Sequence, residues 1–518
     1  MKIFLRISIV VVSVVLLIKI LTVIFVEPWV GKKIQAALDE NSKDYTVKIA
    51  KARILFYLPA IELKSIVIQS KQQTGVYKDV SGRIATIRIV GINFARALFK
   101  DDIYIRKIII SNSSIWGTIP FSQKENPPII ANSNIHVRNI LIDKIDLDIK
   151  SSLSAKSFSL KEGVLNVIDL KISKHDTISQ QCIKKFDCDI NDFISVSSDS
   201  LYTYSALKIV YFASLNNLFI DSLSIHPNYK DYDFTSRHEY QTDRIEAEIS
   251  NIYVRGFNAG EYTNSGCLVC SSLKLGKMDI TVFRDMRKPF RHVVKPTFPG
   301  MIYDYKGIIR IDSIGIQDGN ITYIEHAKKA NEPGKVRFNE IHAIAYKITN
   351  DTIYKHKQAN LEIYADALLM GVSKLSVGLK ARLLDIDNTI SLTGYLSAMD
   401  ANDLNPILEK NAFLYVTDGK IDGLKFDFTA NNIQSAGKMS LLYHGLNIAI
   451  KNKQTNDTTA IKERVFSLIA NIKVIDSNPY KNEKVREGII EYKRDPERSL
   501  FNYYFKSILS GAKSSIIK

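Results

Sequence analysis

Residues 103–119 read IYIRKIIISNSSIWGTI, and residues 135–149 read IHVRNILIDKIDLDI. Ile103, Ile105, Ile108 and Ile110 are followed by Ile115, Trp116 and Ile119, and then by Ile135, Val137, Ile140, Ile142, Ile145, Leu147 and Ile149. Apolar residues at alternate positions share one face of an extended strand, because successive side chains point to opposite sides. The alternation changes phase after Lys107 and after Asn139, as it does where a strand carries a bulge or meets a tight turn. The stretch predicts long β-strands with one apolar face.

Working outward, similar units recur at 160–172, 207–225, 245–257, 273–283, 308–324, 336–348, 361–384 and 390–396. A helical period is hard to find between residues 110 and 400. Asp318-Gly319-Asn320, Pro333-Gly334, Asp418-Gly419-Lys420 and Asp422-Gly423 carry turn chemistry and are expected to separate strands. No Pro/Ser/Gly-rich spacer or long charge block divides the 518 residues, and 46% of them are hydrophobic, enough for a sizeable core. One elongated body over 28–480 is expected, with about 25 strands at roughly 16 residues per strand and turn. A sheet of that length closes, splits into layers or curls over its apolar face. The fold expectation is mainly β: an elongated, curled antiparallel β groove with a few short helices, lined by residues such as Ile103, Ile105, Ile314 and Ile321. Variable strand lengths and an anchor helix argue against an outer-membrane barrel.

The anchor is the run ISIVVVSVVLLIKILTVIFV, residues 7–26. Twenty residues broken only by Ser8, Ser13, Lys19 and Thr22 reach across a bilayer as a helix. Glu27-Pro28-Trp29 follows instead of a small-x-small cleavage site, so residues 1–27 are expected to stay as a single-pass signal anchor, with Ile7, Val10, Val14, Leu17, Leu21 and Ile24 facing lipid. The short tail bearing Lys2 and Arg6 is expected in the cytoplasm and the body outside it.

The order of this span, a short helix at 30–38, the segment Tyr45-Thr46-Val47-Lys48-Ile49-Ala50-Lys51-Ala52-Arg53-Ile54 and then Pro59 to Ile68 resembles the start of the AsmA-like family. Gly91-Ile92-Asn93-Phe94-Ala95-Arg96-Ala97-Leu98-Phe99 leading into Ile103–Ile110 is similar as well. The likeness is clearest over residues 1–120. A looser one covers about 385–518, including 394–404, 418–428 and 437–450, and the middle third is similar only in β texture. The resemblance implies an inner-membrane-anchored periplasmic protein of a Gram-negative envelope, related to TamB and YhdP and more distantly to the chorein-type bridge-like lipid-transfer proteins. It implies phospholipid passage along a β groove toward the outer membrane, or a part in outer-membrane assembly, and no catalytic residues.

Composition and motifs limit other functions. The net charge of +16 is scattered along the strands, without the aromatic-basic signature of nucleic-acid binding, and reads as a solvated cationic face that tolerates anionic headgroups. Cys267-Leu268-Val269-Cys270 has the spacing of half a zinc site or a redox pair, but Cys182 and Cys188 have five residues between them and no His stands at ligand spacing from either pair. A local disulfide between Cys267 and Cys270, or unpaired thiols, is the expectation in an oxidising compartment. No nucleophile elbow, phosphate loop or metalloprotease motif is present, so no enzyme and no cofactor are expected. Asp312, Asp318 and Glu325 read as acidic residues at turns and solvent-facing positions, and His292 as a surface residue.

At the C-terminus, Asp495-Pro496-Glu497 has the form of a helix start, with Asp as N-cap and Pro first. Leu500, Phe501, Tyr504, Phe505, Ile508 and Leu509 follow at helical spacing. An amphipathic helical segment over 481–518 would contact a membrane or partner protein, or would cap the open end of the sheet. Two function classes follow: a groove that holds phospholipid acyl chains, with lipids and outer-membrane or periplasmic proteins as partners, and a non-catalytic envelope scaffold with a self-packed core.

Overall fold

The alternating stretches form strands in the computed structural model, which describes residues 19–20, 22–41, 45–55, 60–71, 79–93, 102–120, 129–130, 133–175, 177–178, 182–183, 185–353, 360–382, 385–412, 414–450, 475–481 and 483–517. Among these residues the fold is mainly β. Twenty strands belong to long, open, mostly antiparallel ladders and two short ones pair with each other. The chain divides into two compact units, one running to Phe219 and taking in Ala259–Asn264, the other comprising Ile220–Asn258 and Ser265–Lys518.

In the first unit the strands are β1 (Tyr45–Leu55), β2 (Ala60–Ser70), β3 (Asp79–Ile92), β4 (Asp102–Ile119), β5 (Ile129–Ile130), β6 (Asn134–Ser151), β7 (Ser157–Ile172), β8 (Thr177–Ile178), β9 (Lys185–Val196) and β10 (Tyr202–Phe212). The ladder runs β1-β2-β3-β4-β6-β7-β9-β10, antiparallel throughout except for the parallel β4–β6 pair. β5 pairs with β8 separately. β11 (Asn217–Pro227) carries the chain across the unit boundary.

The second unit contains β12 (Asp243–Arg255), β13 (Leu268–Asp285), β14 (Ile309–His326), β15 (Gly334–Thr349), β16 (Asn360–Leu369), β17 (Ser373–Arg382), β18 (Ile390–Leu396), β19 (Met399–Asp400), β20 (Leu414–Ala430), β21 (Gln434–Ile450) and β22 (Glu487–Lys493). They follow one another in the ladder, with β18 and β19 both paired to β20, and only β13–β14 is parallel. A parallel pair needs a long crossover, and here it is the segment between Asp285 and Ile309. The helices are α1 (Glu27–Asn41), α2 (Asp231–Ser236), α3 (Ala259–Ser265), α4 (Phe298–Tyr303), α5 (Asn405–Ile407) and α6 (Leu500–Ile516).

Bulges keep one face apolar along strands too long for simple alternation. Leu63 and Ile66 are three apart, which would put them on opposite faces of a regular strand, yet both are buried in one cluster. Between them Ser65 takes a φ of 52°. Asn112, Lys144 and Glu162, with φ of 50°, 57° and 50°, continue this line across β4, β6 and β7, and the β6–β7 register shifts between Ile142 and Ile145. The phase change read after Lys107 and Asn139 also has its place, where the β4–β6 register passes from Ile105–Val137 to Ile108–Ile140.

Five local expectations are corrected. Asp318-Gly319-Asn320 and the two Asp-Gly pairs of 418–423 do not turn the chain; they are register shifts inside β14 and β20. Gly419 has a φ of 127°, and a Cβ there would lie 2.7 Å from the Leu446 backbone, so the glycine serves a close strand approach instead of a turn. Pro333-Gly334 does separate β14 from β15. The C-terminal helix starts at Ser499, whose Oγ accepts from the Asn502 N–H (3.3 Å), while Asp495 accepts from the Glu497 N–H (3.1 Å) in the turn before it. The segment 481–518 is thus not all helical, because 487–493 pair with β21 as a strand.

Most of the expected anchor, including Ile7, Val10, Val14, Leu17 and Leu21, lies outside the described residues. Ile24 lies in the short helical turn Thr22–Val26 and is 57% exposed. Among the described residues no helix is long and apolar enough to cross a membrane.

Candidate functional site

Cross-strand register turns the isoleucine pattern of the first unit into continuous rows. Ile54, Ile61, Ile89, Ile108, Ile140, Val167 and Phe186 stand opposite one another on seven successive strands. Two positions along, Ala52, Leu63, Ile87, Ile110, Ile142, Leu165, Cys188 and Tyr211 form a second row. At the spacing of strands, seven of them span about 29 Å. Ile105 lies in a further row with Ile92, Val137 and Leu170, and Ile103 in one with Ile135 and Ile172. Both residues expected to line a groove in this unit therefore belong to an apolar face.

That face is only partly covered. Ala52, Leu63, Ile66 and Ile84 are buried together, with Ile34 of α1 against them, whereas Ile61, Ile89, Ile108, Ile140 and Ile142 are half-buried. Among the described residues, α1 sits against β1 and the Ala259 N–H of α3 donates to the Tyr211 hydroxyl on β10 (3.1 Å). α1 also closes the free edge of β1. The Gln35 carboxamide donates to the Val47 carbonyl and accepts from the Ile49 N–H (3.1 Å), and Glu27 accepts from the Ile54 N–H (3.1 Å). Capping by side chains removes an edge that would otherwise template aggregation.

The opposite face is largely polar: Lys51, Lys64, Thr86, Ser111 and Asp143 form one row, and Arg53, Glu62, Arg88, Ile109, Leu141, Asn166 and Asp187 another. Glu62, 5% exposed, accepts from Arg88 at 2.8 Å and pairs with Lys64 at 3.3 Å. The hydrogen bond from Arg88 holds its carboxyl below the ordinary range despite burial, with Lys64 adding to the effect.

The second unit treats its apolar face differently. Leu273, Ile314, Ala345, Ile363, Leu379, Leu392, Phe428, Gly437 and Ile490 form a row across β13 to β22, and this row is packed under helices. Phe298 and Ile302 of α4 and Tyr503, Tyr504, Ile508 and Ala512 of α6 belong to the same core cluster. Ile314, half-buried, packs against that core. Ile321 stands half-buried opposite Phe338 and Ile280.

α6 reaches the sheet through residues that a search for apolar spacing passes over. Tyr503, Ser507, Gly511 and Ser515, four apart, are its buried stripe. Ser507 Oγ is 2.7 Å from Ser435 Oγ, and a Cβ on Gly488 would come within 2.2 Å of the Gly511 carbonyl oxygen. Small residues let the helix lie directly on β21 and β22. Ser514 and Ser510 then accept from the Ile489 and Glu491 N–H groups (3.1 Å each), capping the β22 edge. Of the residues expected to meet a membrane or partner, Leu500, Tyr504, Ile508 and Leu509 are half-buried, whereas Phe501 and Phe505 are exposed with their rings stacked 6.1 Å apart. Burial pushes the Tyr503 hydroxyl up to about 12.

The disulfide expected between Cys267 and Cys270 is not formed. None of the four cysteines is in a disulfide, and Cys270 points into the core, where burial raises its thiol to about 11. A strand that begins at Leu268 extends the chain between the two residues and turns one of them inward. Asp312 and Asp318 are exposed, and Glu325 accepts from the Tyr323 hydroxyl (2.7 Å); among the described residues no group of three His, Cys, Asp or Glu side chains could hold a metal. His292 is exposed and lies 2.8 Å from Glu497. No protein-family model matches the chain, and no curated protein matches it significantly.

Proposed function

We propose that the chain is an envelope protein of AsmA-like type, anchored in an inner membrane by residues 1–27 with its body in the periplasm, and that the apolar face of the first unit holds phospholipid acyl chains on their way to the outer membrane or during outer-membrane assembly. The observation that carries this reading is the pair of apolar rows, each in register across seven or more strands and half-buried over most of its length. The mechanism is passive. Each methylene kept out of water contributes about 0.8 kcal/mol, so about ten of them offset roughly 8 kcal/mol of the cost of carrying a lipid through water. Headgroups stay at the wet rim, where lysines and arginines of the strands offer charge. Nothing in this mechanism requires a catalytic residue or a cofactor.

The test is mass spectrometry of the native body purified without residues 1–27. Phospholipid is expected at a defined ratio, and Ile105→Asp with Ile142→Asp is expected to remove it while the circular dichroism spectrum holds. These positions suit the experiment better than Ile314, where a charge would sit against the buried cluster of the second unit. A folded, lipid-free wild-type protein would sink the proposal. The second reading, a non-catalytic scaffold that docks other envelope proteins, draws on the core of the second unit, which is filled by the protein's own side chains.

A further inference from the structure

On the face of the second unit opposite its core, β14 to β22 form an open trough of about 950 Å3. Two cross-strand rows build it. One passes from Ile344 through Tyr364, Gly378 and Thr393 to Asp427 and Lys438; the other from His342 through Asp366, Ser376 and Tyr395 to Lys425 and Ser440. The row between them turns inward, with Phe426 and Met439 buried in the core, so the floor is mostly backbone. Gly378 keeps that floor low: a Cβ there would lie 3.0 Å from Thr393 Oγ1 and 3.7 Å from the Tyr364 ring.

Size and chemistry narrow the occupant. From β15 to β22 there are six strand-to-strand steps, about 29 Å at the usual spacing, so the trough has a cross-section of about 33 Å2, enough for a single extended chain. Tyr364 and Tyr395 are 42% and 48% exposed on its walls. Asp366, Asp427 and Glu487 line it together with Lys425 and Lys438, a nearly balanced set that gives no field for a phosphate or other polyanion. The strands of the floor are paired on both sides, so no backbone edge is free to add a peptide strand. Exposed aromatic faces beside carboxylates, hydroxyls and ammonium groups instead suit a ligand with apolar ring faces and many hydroxyls.

We propose that this trough binds a neutral linear oligosaccharide, with Tyr364 and Tyr395 stacking on sugar faces while Asp366, Asp427 and Lys425 hydrogen-bond its hydroxyls. The site lies in the other unit from the acyl-chain rows, and it stands or falls independently of the lipid reading.

The experiment uses the full chain in lipid nanodiscs, titrated with maltohexaose, cellohexaose and chitohexaose and followed by saturation-transfer NMR. At least one hexasaccharide is expected to saturate the protein. Tyr364→Ala and Tyr395→Ala should each weaken that binding about tenfold, and Gly378→Val should abolish it, while Tyr204→Ala in the first unit leaves it unchanged. Each variant is scored only with a wild-type circular dichroism spectrum, and the two tyrosine variants suffice if Gly378→Val unfolds. No saturation by any of the three sugars overturns the proposal. So does saturation that both tyrosine variants leave intact, or saturation by an extended polar peptide in place of all three.

Discussion

The two units are built by the same rules and finished differently. Each is a ladder of long strands, each contains one parallel pair, and each keeps an apolar face by placing bulges where alternation alone would fail. In the second unit, nineteen buried residues among those described form one cluster, roofed by α4 from the crossover of the parallel pair and by α6 from the C-terminal segment. In the first, among the described residues, the buried cluster has four members and a helix meets it at β1 alone, leaving most of the row residues from β2 to β7 half-buried. Alternation creates an apolar face, but only other elements decide whether that face becomes a core or stays half-buried.

The widest separation should come from truncating one residue in each row. Phe428→Ala, at a position 1% exposed, is expected to cost about 4 kcal/mol in urea unfolding, from lost transfer energy plus the cavity left behind. Ile108→Ala, half-buried in the first unit, should cost about 1.5 kcal/mol. Equal costs would break the comparison, since they would mean that the first face is as fully packed as the second. Next in size is Gly511→Val, which aims a side chain at Ile490 Cγ1, 2.7 Å from the glycine's Cβ position; about 2 kcal/mol is expected, read as faster amide exchange at Ile489 and Glu491.

The capped edges sharpen the comparison from the other side. Ser510→Ala with Ser514→Ala should destabilise β22 by about 1 kcal/mol per lost hydrogen bond, and Gln35→Ala should do the same at β1; hydrogen exchange confined to each edge strand checks both. The smallest effect is one of pH. Because Arg88 and Lys64 lower the Glu62 pKa in the folded state, its contribution is complete above the ordinary Glu value of 4.5 and is lost as pH falls through the lowered one. Acid titration of Glu62→Gln should therefore show a shallower loss of stability below that value than wild type, and identical slopes would remove Glu62 from the account.

Much of the fold was legible because its signal is local. The period-two isoleucines, the phase changes near Lys107 and Asn139, the short helix before β1 and the C-terminal helix all follow from side-chain direction and backbone preference over a few residues. Asp-Gly dipeptides misled, because the same positive φ serves a hairpin turn or a bulge, and the difference is whether a neighbouring strand continues alongside. Ser507, Gly511 and Ser515 were passed over because apolar spacing looks for large residues, whereas this helix needs small ones to approach β21 and β22.

The sequence alone determined that these strands exist, that each carries an apolar face, and that their bulges preserve it, since all three depend on neighbours along the chain. The tertiary structure alone decided that Ile314 packs against a large helix-covered cluster while Ile105 lies in a row beyond the small one, that Cys270 points inward as a free thiol, and that the polar face of the second unit folds into a trough. Those outcomes depend on register and on helices that arrive from residues far away in the chain, and no local pattern specifies where a distant segment will come to rest.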